Sequence, residues 1–109
     1  MGISDTFKVL SDEQRRKILI MLRGERHSAG EISERLGISP AALSYHLKLL
    51  KSADMVMEYR EKNFVYYELN TSIFDEVMLW FGQFGGGADE RKGAVADGGA
   101  VADNSGGSN

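Results

Sequence analysis

The segment SAGEISERLGISPAALSYHLKLLKS, residues 28–52, carries the pattern that decides the fold. Ser28 and Glu31 have the spacing of a capping box, in which a serine and a glutamate satisfy free backbone amides at a helix start. Gly37 can end that short helix in a left-handed conformation. Ser39 and Pro40 then supply an N-cap and a favoured first residue for a second helix. Two helices joined by so short a turn predict a helix-turn-helix.

The second of these helices, predicted to run to about Ser52, has one buried and one exposed face. Leu43, Leu47 and Leu50 recur at helical spacing and form the buried stripe. The stretch from Ser39 to Ala53 contains two lysines and no acidic residue, and its exposed side chains are small or polar, as in a helix that enters the DNA major groove. With the hairpin that follows, the predicted DNA-binding residues are Ser39, Ala41, Ala42, Ser44, Tyr45, His46, Lys48, Lys51, Arg60 and Lys62.

These residues differ in the contacts that we expect of them. The methyl groups of Ala41 and Ala42 suit a thymine methyl, and the hydroxyls of Ser44 and Tyr45 suit base edges or phosphates. The lysines and the arginine are expected at phosphates, which position the protein without reading sequence. His46 lies at the edge of the leucine stripe, where it either donates to a phosphate or orients the helix.

The flanking segments complete a winged helix-turn-helix, a mainly α fold with a small β-hairpin in the order α-α-α-α-β-β-α. Upstream, Ser4 is expected to cap a first helix, and Ser11 with Gln14 fits a capping box for a second helix to about Leu22. Downstream, the period changes to about two in residues 55–60 and 64–69, which predicts two strands. Residues 61–63 join these strands, and residues 70–72 begin a last helix that runs to about Phe84.

Composition divides the chain into two parts. Residues 1–84 are predicted to form one DNA-binding and dimerisation domain, and residues 85–109 a flexible glycine-rich tail that has little to bury. No apolar run is long enough to cross a bilayer and the N-terminus lacks a signal peptide, so we expect a cytoplasmic protein without membrane insertion. The net charge of −3 is unlike that of most DNA-binding domains, so positive charge has to be concentrated on the DNA-binding face.

The last predicted helix is apolar around most of its circumference, which requires burial on two sides. One side is expected to meet its own domain and the other a second subunit, although the N-terminal helix could instead cover it within one chain. The predicted dimer interface consists of Phe7, Leu10, Ile73, Val77, Trp80, Phe81 and Phe84.

Catalytic and metal-binding patterns are missing from the sequence. It has no cysteine and only two histidines, and it lacks a nucleophile with a paired base and a glycine loop for phosphate. We therefore expect no enzyme activity, no cofactor and no metal site, and a surface position for His27. A winged helix that binds a protein partner instead of DNA is the alternative function.

Three segments resemble the ArsR/SmtB-type repressors: residues 7–19, the recognition-helix segment 39–51 and the wing segments 59–60 and 64–70. The resemblance covers about residues 3–84 and extends to the SdpR-like autorepressors within the family. It implies a homodimer joined through the first and last helices that binds double-stranded DNA and covers a promoter, often its own. A protein partner that relieves repression is left open.

The chain departs from the family pattern at two points. Metal-sensing members use cysteines in the third helix or Asp/His pairs in the last helix. This chain has no cysteine and its last helix has no histidine, which argues against metal or arsenite sensing. Lys62 stands where the wing turn often has glycine, so we expect Asn63 to adopt the left-handed conformation.

Overall fold

The computed structural model describes residues 3–85 and shows a winged helix-turn-helix. The predicted fold class is confirmed, with one additional short strand. The chain divides after Phe74 into two compact units, so that the last helix spans the division. The elements are α1 (Ile3–Leu10), α2 (Glu13–Met21), β1 (His27–Ser28), α3 (Ala29–Leu36), α4 (Pro40–Ser52), β2 (Val56–Glu61), β3 (Phe64–Leu69) and α5 (Thr71–Gly82).

The sheet is antiparallel, with the strand order β1-β3-β2. The hairpin register pairs Val56 with Leu69 and Glu61 with Phe64. On its other side β3 pairs with β1, where Ser28 lies opposite Tyr66. Two residues are too few to show an alternating pattern, which is why β1 was not predicted from the sequence.

The core of the first unit lies under α4. Leu43, Leu47 and Leu50 are buried, as predicted, and Leu50 is completely buried. Burial of each such side chain is worth about 1.5–3 kcal/mol, so the stripe fixes which face of α4 remains in solvent. The stripe belongs to one cluster of buried residues that also contains Val9, Ile18, Leu19, Leu22, Ile32, Ala53, Met55 and Val56.

Helix starts agree with the sequence at α3 and differ at α1 and α2. Ser28 and Glu31 form the predicted capping box. At α2 the cap is Asp12, whose carboxylate accepts from the amides of Gln14 and Arg15, so the prediction of Ser11 is wrong. The Ser11 hydroxyl donates to a carbonyl of the preceding helix instead. Ser4 is not a cap either, because α1 already begins at Ile3.

The prediction for His27 is also wrong, because its side chain is only 6% exposed. Its two ring nitrogens lie 3.5 Å from carboxylate oxygens of Glu25 and Glu31. Glu31 also accepts from the amide of Ser28, and this hydrogen bond is the main reason why its pKa is lowered, with His27 contributing less. The histidine is thus part of the junction between β1 and α3.

The wing turn differs from the expectation at one residue. Because Glu61 pairs with Phe64, the loop contains only Lys62 and Asn63. The left-handed residue is Lys62, with φ 58°, and not Asn63 as predicted. The first central residue of a tight hairpin turn needs a positive φ, so the register decides which residue carries the strain. The lysine is therefore held in a conformation that suits glycine.

Asp54 ends α4 in a Schellman motif. Its amide donates to the carbonyl of Lys51, and the amide of Met55 donates to the carbonyl of Leu50, both at 2.9 Å. Such a motif places a left-handed residue after the helix, and Asp54 has φ 59°. Met55 and Leu50 are fully buried, which supplies the apolar contact typical of the motif. An aspartate is unfavourable there because its charge lies at the negative end of the helix dipole.

Replacing Asp54 with glycine is expected to stabilise the protein by about 0.5–1 kcal/mol, because glycine adopts the left-handed conformation freely and carries no charge. Urea denaturation at neutral pH measures the change. Asp54→Ala is the matched control, since it removes the charge and keeps the strain. It is expected to be less stable than Asp54→Gly by about 1 kcal/mol. Equal stability of the two variants would contradict this account of the helix end.

Candidate nucleic-acid interface

The N-terminus of α4 is fixed by its cap. The hydroxyl of Ser39 accepts from the amide of Ala42 at 3.1 Å, and Pro40 occupies the first turn. The side chain of Ser39 is thus engaged in holding the helix start. Ala41 is exposed and Ala42 half-buried, so only small side chains stand between this turn and a ligand that approaches it.

The exposed face of α4 brings together four of the predicted residues. Ala41, Ser44, Tyr45 and Lys48 are all exposed, and their spacing of three and four residues places them on one side of the helix. Tyr45 is 59% exposed, so most of its ring is available to a partner. This face offers a methyl group, two hydroxyls and one cation, which suits contact with base edges and the neighbouring phosphates.

His46 lies on a different side of α4 and is half-buried. Its Nδ1 atom is 3.3 Å from a terminal nitrogen of Arg15. Arg15 is only 9% exposed, and its Nε donates to the carbonyl of Val9 at 2.7 Å. The pair links the recognition helix to the start of α2 and the end of α1, which supports the orienting role considered for His46.

The carboxylate of Asp12 lies close to this pair. Its pKa is lowered, first by the hydrogen bond from the amide of Arg15 and in smaller part by the positive charge of Arg15. Arg15 was not singled out in the sequence, because an arginine beside a second arginine and a lysine has the pattern of a solvated surface. Its burial depends on tertiary contacts that periodicity does not show.

Two of the predicted cations are held by a carboxylate. Glu58 Oε1 lies 2.6 Å from Nζ of Lys51, at the end of α4, and its Oε2 lies 3.3 Å from Nη2 of Arg60. The hydroxyl of Tyr67 also donates to Oε1, at 3.2 Å. The pKa of Glu58 is lowered, chiefly by the hydrogen bond from Lys51. We call Lys51, Glu58, Arg60 and Tyr67 the Glu58 cluster; it joins the recognition helix to the wing.

The strand pattern of the sequence contains a signal for this cluster. Val56 is buried, and side chains two apart in a strand share a face, so Glu58 and Arg60 lie on the same face of β2 as Val56. Glu58 is directly opposite Tyr67 in the register. The cations of the hairpin were counted without the acidic residues on the same strand face, so the pairing of Glu58 with Arg60 was not predicted.

The outer part of the wing holds a second ion pair and one unpaired lysine. Arg26 pairs with Glu61 at 2.6 Å, and its guanidinium lies over the ring of Tyr66. Lys62, at the turn, is exposed. Among residues 3–85, neither Lys62 nor Lys48 forms an ion pair. These two lysines are thus the predicted cations that reach solvent unneutralised.

The second unit presents an apolar surface on α5 and the residues after it. Leu79 and Met78 are 78% and 68% exposed, although neither was among the predicted dimer residues. Of those that were, Phe81 and Phe84 are exposed, Val77 is buried and Trp80 is half-buried, with its ring against both phenylalanines. In the first unit Phe7 is exposed, whereas Leu10 and Ile73 pack against the core.

Two absences concern the part of the chain that the structure describes. None of its helices combines the length and the apolar character needed to span a membrane. Within the same residues, His, Asp and Glu side chains do not come together in any group of three suited to a metal ion. The predicted glycine-rich tail lies outside the described residues except for Gly85.

Known transcription regulators are similar to this chain in sequence and fold. The sequence profile of a helix-turn-helix domain family matches residues 10–59. The transcriptional repressor SdpR of Bacillus subtilis (strain 168) is 39% identical over 82 residues, which cover 75% of this chain and 91% of the repressor. An arsenical resistance operon repressor of Staphylococcus aureus is 32% identical over 76 residues, which cover 70% of this chain and 73% of that protein. The structure of an ArsR-like transcriptional regulator from Rhodococcus sp. RHA1 superimposes with a TM-score of 0.72, 25% identity and 76% coverage of both chains.

Lys48 and Tyr45 are expected to affect DNA binding in different ways. Lys48→Gln leaves one phosphate without its cation, so it weakens binding to all sequences equally and makes the log-affinity versus log-salt slope shallower by about 0.9 for each such phosphate. Tyr45→Ala relaxes the preference at a few base positions and leaves the slope nearly unchanged. Fluorescence anisotropy at several salt concentrations measures both effects, using a duplex selected by the protein from a random pool and its scrambled form. A Tyr45→Ala variant with an altered salt slope and an unchanged sequence preference would show that the base-reading face, here taken as the exposed face of α4, is wrongly assigned.

Proposed function

Because the chain belongs to the ArsR/SmtB-type family of winged helix-turn-helix regulators, we propose that it is a homodimeric repressor that works without a metal ion. It is a DNA-binding transcription regulator, and its family is not enzymatic. The observation that carries the proposal is the exposed, acid-free face of α4 beside a two-stranded wing. That face presents Ser44, Tyr45 and Lys48 to solvent, with Lys62 at the wing turn.

Repression is supported by the two relatives described above, both of which are named repressors. A protein of this size that covers a promoter excludes other proteins from the same DNA, so binding alone is sufficient for repression. We propose that the promoter of its own operon is one target, as the resemblance to autorepressors implies. The place of action is the cytoplasm, and a protein partner is the proposed means of release.

Dimerisation is supported by the apolar surfaces of α1 and α5. A short segment of the chain exposes four large apolar side chains, those of Met78, Leu79, Phe81 and Phe84. Exposed apolar patches of this kind usually mark interfaces. Phe7 on α1 is exposed as well. A two-fold dimer would place two recognition helices about 34 Å apart, which is one turn of DNA. The operator is therefore expected to be an inverted repeat.

Independence from metal ions is supported by the residue types. The chain has no cysteine, and α5 has no histidine to complete a site with Asp75 or Glu76. The imidazole of His27 is already placed between two carboxylates of its own unit. A release signal other than metal is therefore proposed.

The proposed function is tested with the duplex that the protein selects from a random pool. We expect anisotropy titrations to show binding at least about a thousandfold tighter than to scrambled DNA, as for other specific binders. Stoichiometric zinc, cadmium or arsenite is expected to leave the affinity unchanged. Absence of DNA binding would favour the protein-interaction alternative, and a metal-induced loss reversed by a chelator would disprove metal independence.

Leu79→Asp is expected to convert the dimer into a monomer at micromolar concentration, because it places a charge within the proposed interface. Sedimentation velocity measures the change, and the affinity for the selected duplex is expected to fall with it. Ile20→Asp is the matched control: Ile20 is 60% exposed and lies on α2, outside the proposed interface. A wild-type protein that sediments as a monomer, or an Ile20→Asp variant that dissociates equally, would refute this interface.

A further inference from the structure

The Glu58 cluster places an acidic group in a surface that is expected to face DNA. The side chain of Glu58 is 19% exposed, and its carboxylate contacts Lys51 from α4, Arg60 from its own strand and Tyr67 from β3. These three partners come from the recognition helix and from both strands of the wing. A carboxylate near DNA repels phosphates, so by charge alone it weakens binding.

The carboxylate of Glu58 also has an effect on the positions of the neighbouring cations. Lys51 and Arg60 have long side chains that, when free, reach phosphates in many orientations. Glu58 binds one cation with each of its two oxygens, and the hydroxyl of Tyr67 fixes the oxygen that faces Lys51. Both side chains are thereby drawn towards the same carboxylate, Lys51 from α4 and Arg60 from β2.

We propose that Glu58 determines DNA specificity by restraining the Lys51 and Arg60 side chains. When the operator is bound, the two restrained cations lie beside the DNA backbone, which passes between α4 and the wing. On other sequences the protein binds in shifted positions. There the restraint prevents the Lys51 and Arg60 side chains from reaching the displaced phosphates. The proposal rests on the DNA binding proposed above and adds a residue that touches neither bases nor phosphates.

The experiment compares Glu58→Gln with Glu61→Gln. Both changes remove one negative charge from β2, but Glu61 pairs with Arg26 and takes no part in the Glu58 cluster. The measurement is the ratio of dissociation constants for scrambled and selected duplexes, together with the salt slope for scrambled DNA. A third variant, Glu58→Asp, keeps the charge and withdraws the carboxylate by one methylene.

In Glu58→Gln we expect scrambled DNA to bind more tightly and the selected duplex to gain less, so that the ratio falls by about two- to fivefold, the effect of losing an ion pair of this kind. The salt slope for scrambled DNA becomes steeper, because the released cations form new phosphate contacts. Glu58→Asp is expected to lower the ratio similarly. Glu61→Gln is expected to strengthen both complexes equally and to keep the ratio.

Three results would overturn the proposal. One is an equal ratio in Glu58→Gln and Glu61→Gln, which would reduce the effect to net charge. Another is a ratio that falls in Glu58→Gln and is preserved in Glu58→Asp, because charge and not restraint would then be responsible. The third is a wild-type protein without sequence preference, which would overturn the proposed function as well. Thermal denaturation monitors folding, and if Glu58→Gln is unstable, the comparison of Glu58→Asp with wild type decides.

Discussion

Burial of the leucine stripe on α4 is the constraint on which the rest of the structure depends. Leu43, Leu47 and Leu50 are almost inaccessible, and no rotation of the helix would keep them buried while changing its outer face. The same packing fixes Met55 and Val56, which begin the wing directly after α4. The direction of the reading face and the starting point of the hairpin are thus consequences of one apolar contact.

Features with a local physical cause were the ones that the sequence predicted well. The capping box at Ser28, the left-handed Gly37 and the extent of α4 depend on neighbours within a few residues, and the structure has all three. The cap at α2 was misassigned because Ser11 and Asp12 are both good caps and only the chain path chooses between them. The left-handed conformation of Lys62 depends on the hairpin register, and the burial of His27 depends on β1. Both features arise from contacts between distant segments, so they were not predicted.

The sequence indicated candidate cations for the site and missed the groups that arrange them. Lys48, Lys51, Arg60 and Lys62 were chosen by type and position, because a DNA-binding surface has to be positive, and their contact with DNA stays a prediction. Glu58 also binds Lys51, 7 residues away in the chain, and Arg15 contacts His46, 31 residues away. Neither of these two pairings follows from a local pattern. In a chain with a net charge of −3, the described part of the proposed face still keeps Lys48 and Lys62 free of ion pairs, because the nearby acids Glu58 and Glu61 pair with other cations.

Ser28 has two positions at once: it is the last residue of β1, paired with β3, and it is the N-cap of α3. The helix-turn-helix therefore begins on a residue that already belongs to the sheet, and no flexible joint separates it from the wing. A protein connected in this way meets DNA with a fixed angle between its two contact elements. We expect the double helix to adapt to the protein, so sequences that bend or change groove width easily would be favoured even at base pairs that no side chain touches.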